Sequence, residues 1–195
     1  MELLVILPLA AFAVLAVLFL KVLRRAGRIV ARSREIQGFR SGIRDLDQRI
    51  GQSLDGAAQR IDAVRRQELP AEGIGDTLAA ATDAVVRYAE EARALKGPPE
   101  ARAIGEDIAH ELGRAGRAID MVDHGVTILA SVRRGGRELE AQTSIKRGYL
   151  NLIHAREAIS RHAARAADLS SEPGLRRTFR ALVPEVPDNG SDHTI

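Results

Sequence analysis

From residue 29 onward the apolar positions of the chain fall seven apart: Ile29, Ile36, Ile43, Ile50, Ala57 and Val64. Phe39 and Leu46 take the partner positions three residues later, and Leu54 and Ile61 continue that line one residue further on. A stripe held over about five heptads predicts a helix with one apolar face. Its one-residue shift is the drift of a straight 3.6-residue helix against a seven-residue repeat. Gly38, Gly42, Gly51 and Gly56 interrupt it, each at a cost of about 1 kcal/mol relative to Ala. The helix is therefore expected to pack on something: a second copy in a parallel dimer, the downstream helices of the same chain, or a membrane surface.

Ahead of the stripe the pattern is different. Residues 3–20 contain no charged side chain, and Lys21, Arg24, Arg25, Arg28, Arg32 and Arg34 follow before the next acid, Glu35. Extended through Val22 and Leu23 the run is about 21 residues, or about 31 Å of helix, the thickness of a bilayer's hydrocarbon core. Pro8 falls near the start, where a helix tolerates it. A cleaved signal peptide would need a basic segment first and a cleavage site after 7–15 apolar residues. Only Met1 and Glu2 precede the run, and Ala11-Phe12-Ala13 lies in its middle. The reading is a retained membrane anchor over 1–23. Lys and Arg crowd one flank, which sets the N-terminus outside and the rest in the cytoplasm. Nothing of consequence is then expected outside the membrane.

Downstream, "QELPAEGIGD" at 67–76 breaks the helical rhythm with Pro70, Gly73 and Gly75. Leu78, Ala81, Val85, Tyr88, Ala92 and Leu95 then recur at spacings of three and four until Lys96-Gly97-Pro98 ends the helix. Pro99-Glu100 suits the start of the next. That helix carries Ala101, Ile104, Ile108, Leu112, Ala115, Ile119, Val122, Val126 and Leu129. Gly135-Gly136 is the turn of a helical hairpin. Its second arm uses Leu139, Ile145, Tyr149, Leu152, Ile159, Ala163 and Ala166. After Ser170 the chain weakens. Leu175, Phe179 and Leu182 share a face beside Arg176, Arg177 and Arg180, a short segment that docks on the bundle or touches a membrane. Residues 184–195 read as disordered.

The fold class expected is all-α: a single N-terminal transmembrane helix followed by a helical bundle or coiled-coil-like cytoplasmic domain. Its parts are the anchor (1–23), a basic juxtamembrane and amphipathic long helix (24–68), a bundle of three helices (76–170) with a hairpin turning at 133–137, and a mostly disordered tail (171–195).

Composition narrows what such a domain can do. There is no cysteine, which removes disulfides, thiolate metal sites and cysteine nucleophiles. Aromatics are 3% with no Trp, so the core is built from Ala, Leu, Ile and Val. Of 29 basic and 26 acidic side chains, seven and two lie in residues 1–40, leaving 22 and 24, a net of −2. The basic excess sits beside the apolar run and points to a membrane surface, not nucleic acid. Abundant Ala and Arg fit a GC-rich bacterial genome.

The search for chemistry returns little. Asp107 and His110 are three apart, and the hairpin brings His110 near the level of His162. A di-metal bundle would need a carboxylate from each of two helices and a Glu-x-x-His from each of two more. No phosphate-binding glycine loop and no G-x-S-x-G is present. No catalytic, cofactor-binding or metal-ligating set is assigned, and no enzyme activity is expected. The layout is superficially similar to a rotary ATP synthase peripheral stalk, which also continues a membrane helix. It departs from that plan at "LPAEGIG" and "KGPP". It is similar too to a chemoreceptor-type relay, without the connector proline. No family is assigned.

The function expected is a membrane-anchored cytoplasmic helical scaffold or adaptor acting through protein contacts, single-pass in a bacterial inner (cytoplasmic) membrane. The alternative is a regulatory module that binds anionic lipid and responds to membrane state. The lipid-facing residues are Lys21, Arg24, Arg25, Arg28 and Arg32. The oligomer or partner stripe is Ile29, Ile36, Ile43, Leu46 and Ile50. The partners are the membrane, an unidentified protein and, as one option, a second copy in a homodimer; neither a cofactor nor nucleic acid is expected.

Overall fold

The computed structural model describes residues 2–131 and 136–169, with the side chains of 2–14, 16, 17, 25, 26, 28 and 29 outside what is described. The tail (171–195) and most of the turn at 133–137 therefore lie outside the described residues. Everything described is helix or connecting turn. Helix α1 (Glu2–Arg65) is followed by a single 3-10 turn (Ala71–Gly73), then α2 (Gly75–Ala94), α3 (Pro99–Ala130) and α4 (Glu138–Ala167). At 1.5 Å per residue the 64 residues of α1 span about 96 Å, twice the length of α3 or α4.

The second half of α1 and the three shorter helices form an up-down-up-down bundle. Each helix packs on its sequence neighbour and α4 closes against α1. One contiguous core runs through it, built from Phe39, Leu46, Leu54 and Ile61 of α1, Leu78 and Val85 of α2, Ile108, Leu112 and Ile119 of α3, and Ile145, Leu152 and Ile159 of α4. The heptad line from Ile36 to Val64 is buried throughout. Where three and four residue steps alternate, each step returns to the same face of the helix, which is why one stripe serves one core.

The helix ends follow from local chemistry. After α1, Gln67 adopts a left-handed φ of 63°, uncommon for a side-chain-bearing residue, and the chain reverses through Pro70. The α2–α3 connection is held tight at Gly97, where a methyl would come within 2.8 Å of the Ala101 Cβ and 3.1 Å of the Phe39 ring. Pro99 opens α3 at a position where its missing N–H costs nothing. Gly136, at φ 77°, leads into α4.

Helices α3 and α4 approach each other closely over glycine. A methyl on Gly148 would lie 2.6 Å from Val122 Cγ2 and 2.7 Å from the Ala118 carbonyl oxygen. One on Gly125 would lie 2.7 Å from the Ala141 carbonyl oxygen. With Ala115, Ala141 and Ala155 also buried, the two helices meet over small side chains, and dispersion between near-touching backbones replaces large side-chain area. The sequence reading set Leu139 in this core, but it is 76% exposed. The phase of α4 is set by Ala141, Ile145, Gly148, Leu152, Ala155 and Ile159. Residue 139 lies two positions before 141, about 200° around the helix.

Polar contacts tie each adjacent pair at its rim. Arg49 of α1 donates to Glu91 of α2 and lies over the Tyr88 ring. The Ser53 and Tyr88 hydroxyls meet at 3.1 Å. Arg156 of α4 reaches Asp47 of α1 at 2.9 Å, and Arg40 donates to the carbonyls of Ala166 and Leu169, filling the open acceptors at the end of α4. Arg93 pairs with Glu106 between α2 and α3.

Three carboxylates paired with arginine, one of them across α1 and α2, are expected to make the bundle acid-sensitive. Arg49 hydrogen bonds hold the Glu91 carboxyl below its ordinary pKa, Arg65 does the same for Asp62, and Arg137 holds Glu140 down to about 2. A carboxylate depressed in the fold contributes fully above its unfolded pKa, near 4, and that contribution is lost as pH falls through the folded value. The melting temperature is expected to hold from pH 7 to about 5 and decline toward about pH 2. Glu91→Gln should remove part of the decline. A profile flat from pH 5 to 2, followed by circular dichroism, would show that these pairs do not support the fold. The change is modest because the pairs sit at the surface.

Candidate functional site: the membrane-proximal stalk

Helix α1 does two different things along its length. From Ile36 onward its apolar side chains are buried. From residue 15 to 31 every side chain described is exposed, including Leu15, Leu18, Phe19 (64%), Leu20, Val22, Leu23 (52%) and Val30. The helix emerges from the bundle without a neighbour and carries a band of large apolar side chains with it. Among the described residues, no helix is long and apolar enough to cross a membrane. The uncharged run at 3–20 falls mostly on residues 2–14, 16 and 17, whose side chains lie outside those described.

The basic collar begins at Lys21, within the last turn of the exposed apolar band. Lys21 and Arg24 are exposed, while the side chains of Arg25 and Arg28 lie outside the described residues. Arg32 differs from its neighbours. It is half-buried and pairs with Glu100 in the first turn of α3 at 3.3 Å. Its Nε is enclosed without a hydrogen-bond partner. Arg32 thus marks where the stalk enters the bundle, about 14 Å beyond Leu23 along the helix.

The residues of the stripe have a different fate from the collar. Ile36, Ile43, Leu46 and Ile50 are each at most 1% exposed within a single chain; the side chain of Ile29 is outside the described residues. The structure spends them in cis, against α2 and α4. A second copy could reach these four side chains only if the bundle opened.

Of the histidine set, the structure places His162 3.4 Å from Asp107, with Arg165 3.1 Å from the same carboxylate. The hairpin is offset by about one turn from the level that would pair His162 with His110. Asp107 faces two side chains that can carry positive charge, an ion-pair setting. Among the described residues there is no cluster of three or more His, Asp or Glu able to hold a metal ion.

At the opposite end of the bundle a cleft of about 710 Å³ opens between the end of α1, the 3-10 turn and the α3–α4 hairpin. Arg65, Lys146, Glu68 and Glu72 line it together. Acids and bases are mixed there, so its walls select no ligand charge.

Comparison of the chain with protein-family models, with curated proteins and with solved structures gives no match.

Proposed function

We propose that the protein is a non-enzymatic helical scaffold or adaptor held at a membrane by the first part of α1. What supports this reading is the contrast within that one helix. A bundle with a finished core carries a lone apolar stalk ending in a basic collar. Leaving Leu15, Leu18, Phe19, Leu20, Val22 and Leu23 in water forgoes on the order of 10 kcal/mol of burial. A bilayer supplies that burial, and the uncharged run at 3–20 has the length to cross one. The basic collar supports a bundle on the cytoplasmic side of a bacterial inner membrane, because Lys and Arg flank the cytoplasmic end of a span. Confinement to two dimensions then raises the local concentration of whatever the bundle binds.

A second reading is favoured by the exposure of Lys21 and Arg24 next to the apolar band. Here the collar recognises anionic lipid, at about 1 kcal/mol per contacting side chain, and the bundle reports on membrane state. Arg32 contributes less to that surface because Glu100 engages it.

The anchor is tested by fractionation of the full-length chain. Wild type should sediment with membranes through an alkaline carbonate wash, and a reporter fused after Ile195 should be active on the cytoplasmic side. The double variant Leu18→Arg, Phe19→Arg places two charges in the run at about 2.5–3.5 kcal/mol each and should shift the chain to the supernatant. Wild type in the supernatant, or a reporter active only outside, overturns the proposal. Charge reversal of Arg24 with retained topology separates the lipid reading from the scaffold reading.

A further inference from the structure

Outside the stalk, four large apolar side chains of the described residues stand exposed. Three of them, Leu139 (76%), Leu150 (43%) and Met121 (40%), share one groove on the outer face of the α3–α4 hairpin; the fourth, Val86, is on α2. The groove has a volume of about 850 Å³. Its charge is one-sided. The single acid in its wall, Glu140, is engaged by Arg137 and His124. Arg147 and His154 line it with no ion pair among the described residues. Arg117, one turn before Met121 on the same face of α3, is exposed and equally unpaired among them. The short hydroxyls are already committed: Ser144 donates to the Met121 carbonyl and Thr143 to the Leu139 carbonyl. The groove thus offers apolar surface and open positive charge, and few groups to bond an open backbone.

We propose that this groove receives an acidic amphipathic helix of another protein, an inference that rests on the adaptor reading and gives it the chemistry of its partner. Each property of the occupant follows from the walls. It is a helix because an extended segment would bring backbone N–H and C=O groups that find no partners here, whereas a helix bonds its own. From Leu139 to His154 the groove runs about 22 Å, the length of about 15 helical residues. Leu139 and Leu150 stand about 16 Å apart along α4. Met121 lies between them, at the level of Ser144 and Asn151. Apolar side chains at i, i+4, i+7 and i+11 of the occupant cover all three. Carboxylates flanking that line meet Arg147, Arg117 and, when protonated, His154.

Charge also sorts the other occupants. A two-fold copy would bring Arg147 against Arg147. In the chain's own tail the apolar positions Leu175, Phe179 and Leu182 are bordered by Arg176, Arg177 and Arg180, the sign the groove already carries. A bilayer is flat where this surface is concave. It is also remote on the anchored reading: Arg156 meets Asp47, which sets Leu150 about 45 Å beyond Leu23 along the axis of α1. One helix in one groove is a contact of the transient class, below about 1,200 Å² in total.

The probe is a synthetic peptide of about 15 residues with Leu at i, i+4, i+7 and i+11 and Glu on both flanks. It is titrated by fluorescence anisotropy against the full-length chain in phosphatidylcholine nanodiscs, and should saturate below about 1 mM. Arg147→Glu and Leu150→Asp should each weaken it about tenfold. Lys146→Glu makes the same charge change on the neighbouring residue, which lines the distal cleft instead, and should leave affinity within about twofold. A peptide with Lys in place of every Glu should not bind. No saturation, equal losses at 146 and 147, or equal binding of the lysine peptide overturns the proposal. So does a different occupant lost in Leu150→Asp: flotation with phosphatidylglycerol vesicles, self-association of the chain without peptide, or peptide binding that appears only once residues 171–195 are deleted. The carbonate wash reads the anchor independently. Peptide binding can therefore fail with the anchor intact, and a chain found in the supernatant still tests the groove, in buffer without nanodiscs.

Discussion

Gly148→Leu is expected to destabilise the bundle by about 3 kcal/mol, at the upper end of what overpacking a core costs. The reason is what a side chain at 148 would meet. Val122 Cγ2 lies 2.6 Å from its first carbon and the Ala118 carbonyl oxygen 2.7 Å. The first could rotate away; the second is backbone, fixed within α3, and yields only if the two helices separate. Separation would also strip contacts from Ala115, Ala155 and Leu152, all fully buried. Replacing a helical glycine normally gains about 1 kcal/mol of propensity, too little to offset this. Gly56→Ala supplies the contrast. Nothing lies within 4 Å of a methyl placed there, and that variant should be more stable by about 0.5–1 kcal/mol. Thermal and urea unfolding of the full-length chain in detergent, followed by helicity, reads both. Equal midpoints for Gly148→Leu and wild type would mean that α3 and α4 are not in contact at this level.

Ile43→Asp is expected to cost about 4–5 kcal/mol, combining the lost burial of the isoleucine with an unpaired carboxylate in its place. Ile43 is 1% exposed and sits between Phe39 and Leu46 in the line that α1 offers to α2 and α4. Against a typical domain stability of 5–15 kcal/mol, that removes a large share of the fold. The loss should be independent of protein concentration, because the contacts broken lie within one chain. Were the stripe instead a seam between copies, the variant would keep its helicity as a monomer and change only its sedimentation. Helicity and sedimentation measured over a hundredfold range of concentration separate the two outcomes.

Several elements were legible in the sequence, each for a local reason. Pro99 has no N–H to give a helix interior, so it favours the first turn and opens α3. Proline and glycine between 70 and 75 leave no room for a continued α1. The spacings of three and four in α2 and α3 fix which faces are apolar, and every one of Leu78, Val85, Ile104, Ile108, Leu112 and Ile119 is buried. Leu139 was misplaced because a large apolar side chain outweighs a nearby alanine in any reading by hydrophobicity. The core of α4 instead takes Ala141, Gly148 and Ala155, whose value is their smallness. That value exists only once α3 lies opposite. The groove formed by Met121, Leu139 and Leu150 was invisible for the same reason.

The chain by itself determined that this is an all-helical protein, where its helices break, and that an uncharged run ending in a basic collar stands ahead of them. Those properties reside in short segments: backbone preference, apolar period and the clustering of charge. Tertiary structure alone decided which partner the long stripe of α1 takes. It also decided that Arg32 belongs to Glu100 and that α3 and α4 close over glycine. A periodic apolar face records only that it must be covered; distances between helices, which no local pattern encodes, choose what covers it.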